Sequence, residues 1–336
     1  MSLVTDSRGT LLLTRKDVST LLTLDECITV VESAFRQHGL GRTSAPKVLG
    51  MPSIDGGFHL KTALLTLGSS YFAAKLNGNF FHNRERFDMP NIQGLLILAD
   101  ASNGYPLAVM DSIEITIFRT GAATAVAAKY LARPDSKVVT ICGCGNQGRV
   151  QLRALARVMP VKKVFAFDLN TERSRKFSDE LSEDLGIEIK AVDNLSAAAR
   201  KSDICITCTP ARRFLLSKED VVQGTFVAGV GADNDDKQEL DPKLLASSKV
   251  VADIRDQCAE IGDLHHAIRA RLMRADDVHG ELGEIVAGLK PGRISNEEVT
   301  IFDSTGTALQ DVAAAAAVYE RAVREGLGTR FQFQTS

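Results

Sequence analysis

The stretch Val138-Val139-Thr140-Ile141-Cys142-Gly143-Cys144-Gly145-Asn146-Gln147-Gly148 is the most informative part of this chain. Its β-prone residues run directly into the spacing Gly-x-Gly-x-x-Gly, and apolar residues at helical spacing follow from Val150. This order predicts a strand, a glycine turn and a helix. The glycines would permit a tight turn, close approach of a pyrophosphate and close packing of the helix on the strand. We therefore expect a dinucleotide to bind through Gly143, Gly145, Asn146, Gln147 and Gly148, with a structural glycine turn in another α/β fold as the alternative.

A second β-prone segment, residues 164–167, ends in Asp168, about 20 residues past the last glycine. A carboxylate at this point can accept both hydroxyls of an adenosine ribose, while the helix N-terminus offers N–H groups to the phosphates. The same carboxylate would repel a 2′-phosphate. NAD(H) is therefore predicted over NADP(H), and Arg173 and Arg175 nearby offer the alternative phosphate contact.

The composition is that of an ordinary water-exposed chain long enough for two domains: 336 residues, 44% hydrophobic and 24% charged. A net charge of −2 gives no electrostatic reason to expect nucleic acid or an anionic membrane as a partner. No apolar run approaches the roughly 20 residues of a membrane helix. The first residues show no signal pattern and the six cysteines no disulfide spacing, so a cytoplasmic location is expected.

The pattern of elements changes along the chain. A strand and a helix up to Gly41 are followed by strands near residues 47–51, 58–63, 71–76, 93–99 and 107–110, which predict a mixed or antiparallel sheet. From the glycine turn onward strands alternate with helices, which predicts a doubly wound parallel sheet. The fold class expected is α/β, with a Rossmann-type sheet (residues 119–311) inserted in a discontinuous α+β domain (residues 1–118 and 312–336).

Three charged residues are candidates for chemistry. Lys75 ends a strand among apolar neighbours, and is either an anion ligand for a substrate carboxylate or a strand-end lysine in water. Arg119 precedes a run of small residues, and is either a bidentate carboxylate ligand or a solvated helix residue. Asp233 follows a strand, where parallel sheets place their ligands, and is otherwise a turn residue.

Further cofactor contacts are expected beside these candidates. Thr120 and Gly121 would let a phosphate or ribose approach closely. The ends of two later strands supply Thr209 and Val230. The turn from Ser304 to Gly306 would bring N–H groups to the nicotinamide.

Other polar residues suggest no role. Asp311 is interpreted as an exposed acid, and residues 235–237 as a solvated loop. His265 and His266 are adjacent, so on a helix they point in different directions, and neither they nor His279 have a third ligand at a suitable spacing. No metal site is expected.

The sequence resembles the ornithine cyclodeaminase/mu-crystallin family in several stretches that occur in the same order over roughly residues 10–325. These are Ala74-Lys75-Leu76-Asn77-Gly78, the strand closed by Asp100, Arg119 to Ala125, Gly143 to Gly148, Gly231-Ala232-Asp233, and Asp303 to Gly306. The resemblance implies a homodimer built through the first domain's sheet. It also implies that Lys75 and Arg119 hold a substrate carboxylate and that Asp233 acts as the acid/base near the reacting nitrogen.

Two positions depart from the family pattern. Lys47 falls where many members carry a third cationic carboxylate ligand, usually arginine. A lysine there keeps the positive charge but cannot make the bidentate hydrogen bonds of a guanidinium. His59 lies near the position where ornithine-processing members place a glutamate for the distal amine. The resemblance therefore favours an NAD(P)-dependent oxidoreductase acting at the α-carbon of an amino or imino acid, such as a ketimine reductase or an alanine-type dehydrogenase. The alternatives are ornithine cyclodeaminase and a non-catalytic, crystallin-like nicotinamide-binding protein.

Overall fold

The computed structural model describes residues 9–80 and 82–333. The chain divides into two compact units: the first is Met1–Arg119 with Thr307–Ser336, and the second is Thr120–Gly306. Arg119 and residues 307–311 therefore belong to the first unit, whereas the sequence placed them in the nucleotide domain. Arg119 contacts both Gln310 and Asp311, which belong to the same unit. The first six residues, in which no signal pattern is expected, lie outside the described residues.

The elements follow one another in three blocks. Up to the end of the fourth helix they are β1 (Thr10–Leu13), α1 (Arg15–Leu21), α2 (Leu24–Gly39), β2 (Lys47–Ser53), β3 (Gly56–Leu67), β4 (Ser69–Phe80), α3 (Asn83–Phe87), β5 (Ile92–Asp100), β6 (Pro106–Asp111) and α4 (Ile113–Leu131). Next come β7 (Val138–Cys142), α5 (Asn146–Val158), β8 (Lys163–Phe167), α6 (Thr171–Leu185), β9 (Glu188–Ala191), α7 (Leu195–Ala199), β10 (Ile204–Thr207), β11 (Arg212–Leu216), β12 (Phe226–Gly229), β13 (Gln238–Leu240), α8 (Pro242–Ala246), β14 (Lys249–Ala252), α9 (Arg255–Ile261), α10 (Asp263–Arg269), β15 (Gly280–Glu281), α11 (Leu282–Val286) and β16 (Thr300–Asp303). The chain closes with α12 (Ala308–Glu325) and β17 (Thr329–Phe331). Within the two described ranges, no helix combines the length and the apolar character that a membrane crossing requires.

The N-terminal helical segment is split in two, whereas the sequence suggested a single helix. Thr14 caps α1 in a reciprocal arrangement with Asp17. Thr23 then caps α2 by accepting a hydrogen bond from the Glu26 N–H. Each threonine satisfies an otherwise unpaired N–H at a helix start, so two capping signals mark two helices.

The sheet of the first unit has the strand order β17-β1-β6-β5-β4-β3-β2, and its central pairs are antiparallel. Residues alternate between its two faces, as they must in a strand. On β5, Leu96 and Leu98 are fully buried while Leu95 and Ile97 are about half exposed. Helix α12 packs against β3 and β4, which makes one face the core of this unit. The opposite face carries a broad set of exposed apolar side chains.

The main sheet of the second unit is parallel throughout, in the order β15-β14-β16-β12-β10-β7-β8-β9. The last residues of neighbouring strands pair directly: Cys142 with Phe167 and Thr207, and Gly229 with Thr207 and Asp303. The carboxyl ends of these strands therefore lie along one edge, where such sheets bind ligands. This is the Rossmann-type arrangement that the glycine turn predicted.

Candidate functional site

Lys75 lies at the centre of a buried polar cluster in the first unit. It sits on β4, and its side chain is only 2% exposed, so the interpretation of a strand-end lysine in water is wrong. Its ammonium donates to Oδ1 of Asp311 at 2.8 Å and to Oγ1 of Thr116 at 3.2 Å. Strand β4 and helices α4 and α12 thus meet around one cation.

Arg119 joins the same cluster from α4. Its Nη1 donates to Oε1 of Gln310 at 2.8 Å, and its Nε lies 3.2 Å from Oδ1 of Asp311. The side chain is buried, so the alternative of a solvated helix arginine is also wrong. Asp311, interpreted from the sequence as an exposed acid, is 1% exposed and pairs with both cations.

The charges of this cluster shift each other's protonation. Burial lowers the pKa of Lys75 to about 7, and the charges of Arg119 and Lys61 lower it as well, while the Asp311 carboxylate opposes them. Burial acts to raise the pKa of Asp311, but the charges of Lys75 and Arg119 outweigh it and hold that pKa below its ordinary value. Asp311 is therefore ionised, and Lys75 carries its proton only up to about neutral pH.

The strand register decides which further cation stands beside Lys75. Lys61 on β3 is buried. It pairs directly with Lys75 on the neighbouring strand β4, so the two lysines lie on the same face of the sheet. His59 lies on that face too, two positions before Lys61, and is half-buried. Lys47 is exposed and pairs with Thr62, on the opposite face. Lys61, and not the expected Lys47, is therefore the cation next to Lys75.

The glycine turn of the second unit has the shape that a dinucleotide requires. Gly143 has φ +103°, a conformation that favours glycine, and a Cβ on Gly148 would lie 2.1 Å from the Gly143 carbonyl oxygen. Gly145, by contrast, faces open space, since a Cβ there would meet nothing within 4 Å. Gly145 is also the N-cap of α5 and provides no side-chain cap, so the N–H groups of that first turn remain for a ligand. Asn146 and Gln147 are the first two residues of this helix.

Asp168 directly follows β8 and faces the same turn. Its Oδ2 accepts a hydrogen bond from the Cys144 N–H at 2.9 Å, and its Oδ1 accepts one from the Asn170 N–H. The Arg173 guanidinium lies 3.5 Å from Oδ1. A carboxylate oriented in this way fits the ribose-binding role, and together with the open Gly145 it shows that the residues present suit a dinucleotide.

The other predicted cofactor residues occupy the same edge of the parallel sheet, with one exception. Thr209 and Val230 follow the ends of β10 and β12, and Ser304 and Gly306 follow β16. Asp253 holds that last turn by accepting hydrogen bonds from Ser304 Oγ and from the Gly306 N–H. Thr120, the exception, lies within helix α4 and is buried there.

The glycine after Thr120 serves packing. A Cβ on Gly121 would lie 3.0 Å from both the side chain and the carbonyl oxygen of Val150. The absence of a side chain at Gly121 therefore allows α4 to approach α5. The expected role of Gly121 in letting a phosphate or ribose approach stays a prediction.

Asp233 lies in the loop after β12 and is partly exposed. Its Oδ1 pairs with Nζ of Lys237 at 2.6 Å. The interpretation of residues 235–237 as a solvated loop holds for Asp235 and Asp236, which are exposed. It is wrong for Lys237, whose side chain is only 16% exposed.

Sequence reasoning missed several polar residues of these two clusters. Asp311 had a usable signal, because it is a lone acid in the apolar run Ala308–Val318. Lys61 had one as well, since it alternates with the apolar Ala63 and Leu65 on one face of β3. Glu239, which is fully buried beside Thr209 and Gly231, had none. Among the described residues, no group of three or more His, Cys, Asp or Glu residues is arranged to hold a metal ion.

The fold and these clusters define a two-unit protein with a dinucleotide-type glycine turn and a separate buried cation site. The sequence model of the ornithine cyclodeaminase/mu-crystallin family matches residues 8–326. This chain belongs to the ornithine cyclodeaminase/mu-crystallin family. The resemblance noted from the sequence is therefore confirmed.

Solved structures of family members are closely similar over the whole chain. An archaeal alanine dehydrogenase dimer with bound NAD is 39% identical, with a TM-score of 0.92, and the match covers 97% of this chain and 100% of that one. The Δ1-pyrroline-2-carboxylate reductase of Thermococcus litoralis, in complex with NADH and L-proline, is 35% identical with a TM-score of 0.91 and coverages of 96% and 100%. The iminosuccinate reductase of Paracoccus denitrificans, in complex with NAD⁺, is 32% identical with a TM-score of 0.89 and coverages of 97% and 100%.

Proposed function

We propose that this protein is an oxidoreductase that interconverts an amino acid and its imino acid at the α-carbon, with NAD(H) as the cofactor. The observation that carries this proposal is the buried cluster in which Lys75 and Arg119 share the single carboxylate of Asp311. Up to about neutral pH, where Lys75 keeps its proton, two cations face one carboxylate and leave a positive charge inside the protein, and an isolated buried charge is costly. A substrate carboxylate would neutralise it. The similar alanine dehydrogenase and pyrroline-2-carboxylate reductase have names that fit such a substrate.

In this proposal Lys75 and Arg119 hold and orient the substrate's carboxylate. The guanidinium donates a hydrogen bond from Nη1 to Gln310 and forms an ion pair with Asp311, and the ammonium donates to Asp311 and Thr116. Side chains that are already ordered lose little entropy when they bind a ligand. A carboxylate held by two ordered cations fixes the α-carbon beside it, and such orientation can lower a reaction barrier by several kcal/mol.

Asp233 is proposed as the group that gives or takes the proton at the substrate nitrogen. It lies past the carboxyl end of β12, on the edge of the parallel sheet where ligands bind. Lys237 holds its Oδ1 in one orientation. A positioned carboxylate of this kind is a common general acid/base.

The second unit is proposed to bind NAD(H) through the glycine turn, with Gly145, Asn146 and Gln147 at the pyrophosphate and Asp168 at the adenosine ribose. When bound, the nicotinamide supplies or accepts the hydride at the α-carbon. The negative charge of Asp168 would repel a 2′-phosphate, which supports NAD(H) over NADP(H). The similar structures were solved with NAD, NADH and NAD⁺.

A second copy of this chain is the proposed partner of the first unit's exposed sheet face. Across β2, β3, β4 and β5 the directly paired residues Leu49, Leu60, Leu76 and Leu95 lie on this face, and three of them are about half exposed. Large apolar patches on a protein surface mark interaction sites. The similar archaeal alanine dehydrogenase is a dimer, which supports a homodimer here.

A reducing compartment such as the cytoplasm is proposed as the location of the protein. All six cysteines are free, and five of them are buried. Burial raises the pKa of the Cys144 thiol to about 12, so this thiol beside the glycine turn is unreactive.

The test is a panel of substrates assayed with purified protein and NADH or NAD⁺. It contains Δ1-pyrroline-2-carboxylate, Δ1-piperidine-2-carboxylate, pyruvate with ammonia, iminosuccinate, and ornithine with product analysis for proline. We expect NADH-dependent reduction of at least one imino acid. Proline formed from ornithine without net change in NADH would instead establish the cyclodeaminase. NADH binding without turnover of any compound would establish a binding protein.

A further inference from the structure

Glu239 is a fully buried carboxylate that the proposed reaction does not use. It lies on β13, in the second unit, and has no exposed surface. Each of its oxygens accepts one backbone N–H and one hydroxyl. Oε1 accepts the Thr209 N–H at 2.6 Å and Thr209 Oγ1 at 2.8 Å, and Oε2 accepts the Gly231 N–H at 2.7 Å and Thr207 Oγ1 at 2.9 Å.

These four donors come from the end of β10 with its following loop and from the loop after β12, at the ligand edge of the parallel sheet. Thr207 and Thr209 stand at the carboxyl end of β10, and Gly231 follows β12 two residues before Asp233. The packing is tight: a Cβ on Gly231 would lie 2.3 Å from the Thr209 carbonyl oxygen and 2.6 Å from Glu239 itself. The loop that carries Asp233 is thus fixed through Glu239 to the loop that carries Thr209.

The Thr209 loop also lies against the glycine turn. A Cβ on Gly143 would lie 2.9 Å from Cγ2 of Thr209, and the Cys208 thiol donates to the Gly143 carbonyl oxygen at 3.2 Å. Glu239 therefore ties two neighbouring pieces of the ligand edge to each other, and the Thr209 loop connects them to a third, the glycine turn. The three pieces include the proposed cofactor turn and the loop of the proposed acid/base.

We propose that Glu239 is a positioning residue that holds the Asp233 loop and the Thr209 loop in register with the cofactor turn. This inference rests on the proposed function, because Asp233 and the glycine turn have their roles only in that reaction. Glu239 itself touches neither substrate nor cofactor in this scheme. It acts through the N–H groups that it orders.

The ionised form of Glu239 is the form that performs this task. Four donors match the four acceptor sites of a carboxylate. Burial and the charge of Asp263 raise the pKa of Glu239 to about 7, and the hydrogen bonds from Thr209 and Thr207 oppose that rise.

A Glu239→Gln substitution has a defined consequence in this geometry. The threonine hydroxyls can rotate and accept a hydrogen bond from the new amide NH₂. Backbone N–H groups cannot do so. Because each oxygen of Glu239 accepts one backbone N–H, either the Thr209 or the Gly231 N–H must lose its acceptor, whichever oxygen the NH₂ replaces. One of the two loops is then released, while volume and burial are almost unchanged.

Asp203 offers a matched control at the amino end of β10, the strand whose carboxyl end carries Thr207 and Thr209. It immediately precedes β10, and its Oδ2 accepts the N–H groups of Lys137 and Val138. Like Glu239, it is a carboxylate that ties backbone segments of neighbouring strands. It lies at the amino ends of those strands, the edge opposite the proposed site.

The experiment compares E239Q and D203N with wild type, using the imino acid that the substrate panel identifies. We expect kcat of E239Q to fall by about tenfold to a hundredfold, with the KM for the imino acid and the Kd for NADH within about threefold of wild type. D203N should lose thermal stability and keep its kcat within about threefold. Deuterium exchange of amides should accelerate in E239Q in one of the two loops, residues 207–211 or residues 229–234, according to which N–H has lost its acceptor.

A kcat for E239Q within threefold of wild type, or a loss that D203N reproduces, would overturn the positioning role. Unchanged exchange in both loops of E239Q would overturn it as well, even in a protein that turns over no imino acid. Absence of turnover in the wild type, with the exchange difference intact, would instead refute the proposed function and leave Glu239 as the residue that orders this edge.

Discussion

The ammonium of Lys75 and the carboxylate of Asp311 are 2.8 Å apart, and neither side chain is more than 2% exposed. They lie 236 residues apart in the chain and come from β4 and α12. A buried charge that loses its partner is strongly destabilising. This pair therefore joins the C-terminal segment to the first unit's sheet and at the same time orders the proposed carboxylate site.

The first prediction concerns Asp311→Asn. The neutral amide would leave Lys75 and Arg119 buried without their shared counter-charge, so we expect the free energy of unfolding in urea to fall by about 3–5 kcal/mol. Glu320→Gln on the same helix is the control, because Glu320 is exposed and accepts a hydrogen bond from the Tyr71 hydroxyl. That variant should lose no more than about 1 kcal/mol. Equal free energies of unfolding for D311N and E320Q would show that the buried pair contributes no more to stability than the exposed Glu320 does.

The second prediction concerns Asp233→Ala. Loss of the proton carrier should lower kcat by about 10²–10⁴-fold, with the Kd for NADH within about threefold. Asp235→Ala in the same loop is the control, since Asp235 is exposed, and it should keep wild-type kcat. Stopped-flow reduction of the imino acid measures the rate of each variant, and fluorescence titration with NADH measures the Kd. Wild-type rates in D233A would remove Asp233 from the site.

The third prediction concerns pH. Burial lowers the pKa of Lys75 to about 7, so the free enzyme loses this proton, and with it a carboxylate ligand, as pH rises through neutrality. We expect kcat/KM for the imino acid to decline above about pH 7. The charge of Lys61 also lowers the pKa of Lys75, so Lys61→Met should move the decline to higher pH. Lys47→Met, on the opposite sheet face, should leave it in place. If the decline of kcat/KM occurs at the same pH in K61M as in wild type, the assignment of this decline to Lys75 is wrong.

The fourth prediction concerns cofactor choice. Wild type should use NADH with a kcat/KM at least about tenfold above that for NADPH, because Asp168 repels a 2′-phosphate. Asp168→Ser removes the repulsion, so the ratio of kcat/KM for NADPH to kcat/KM for NADH should rise on the order of tenfold. Asp179→Ser, an exposed change on α6, should leave the ratio alone. A wild-type preference for NADPH would refute the interpretation.

The fifth prediction concerns the exposed sheet face. Leu95→Asp places a charge in the apolar patch and should convert a dimer to a monomer in sedimentation velocity. Leu289→Asp is the control, because Leu289 is equally exposed but lies in the second unit. It should sediment as wild type does. A wild-type protein that is monomeric at micromolar concentration would exclude the proposed interface.

Local patterns in the sequence were sufficient where one contiguous stretch carries the information. Helices α6 (residues 171–185) and α12 (residues 308–325) begin and end where local signals stand in the sequence. Each has a local origin: Asn170 and Thr307 cap the two helices, and their last residues are followed by Gly186 and Gly326 in the left-handed conformation. The glycine turn with Asp168 likewise needs only the order strand, turn, helix and strand.

Register and long-range pairing were not accessible in this way. Both Lys47 and Lys61 are lysines in strands, and only the pairing of β3 with β2 and β4 assigns them to opposite faces. A shift of one residue in that register would exchange their positions. The partner of Asp311 was equally hidden, because an acid in a helix is exposed or buried depending on what packs against it.

The sequence by itself determined that a Rossmann-type glycine turn stands in the middle of this chain, that an acid follows its second strand, and that the family motifs are present. Those features depend on backbone preferences and on spacings within a few tens of residues. Only the tertiary structure decided that Asp311 holds Lys75 and Arg119, and that Glu239 ties two strand-end loops together. A charged side chain is stable in the interior only when distant segments bring its partners to it, and no local pattern records that meeting.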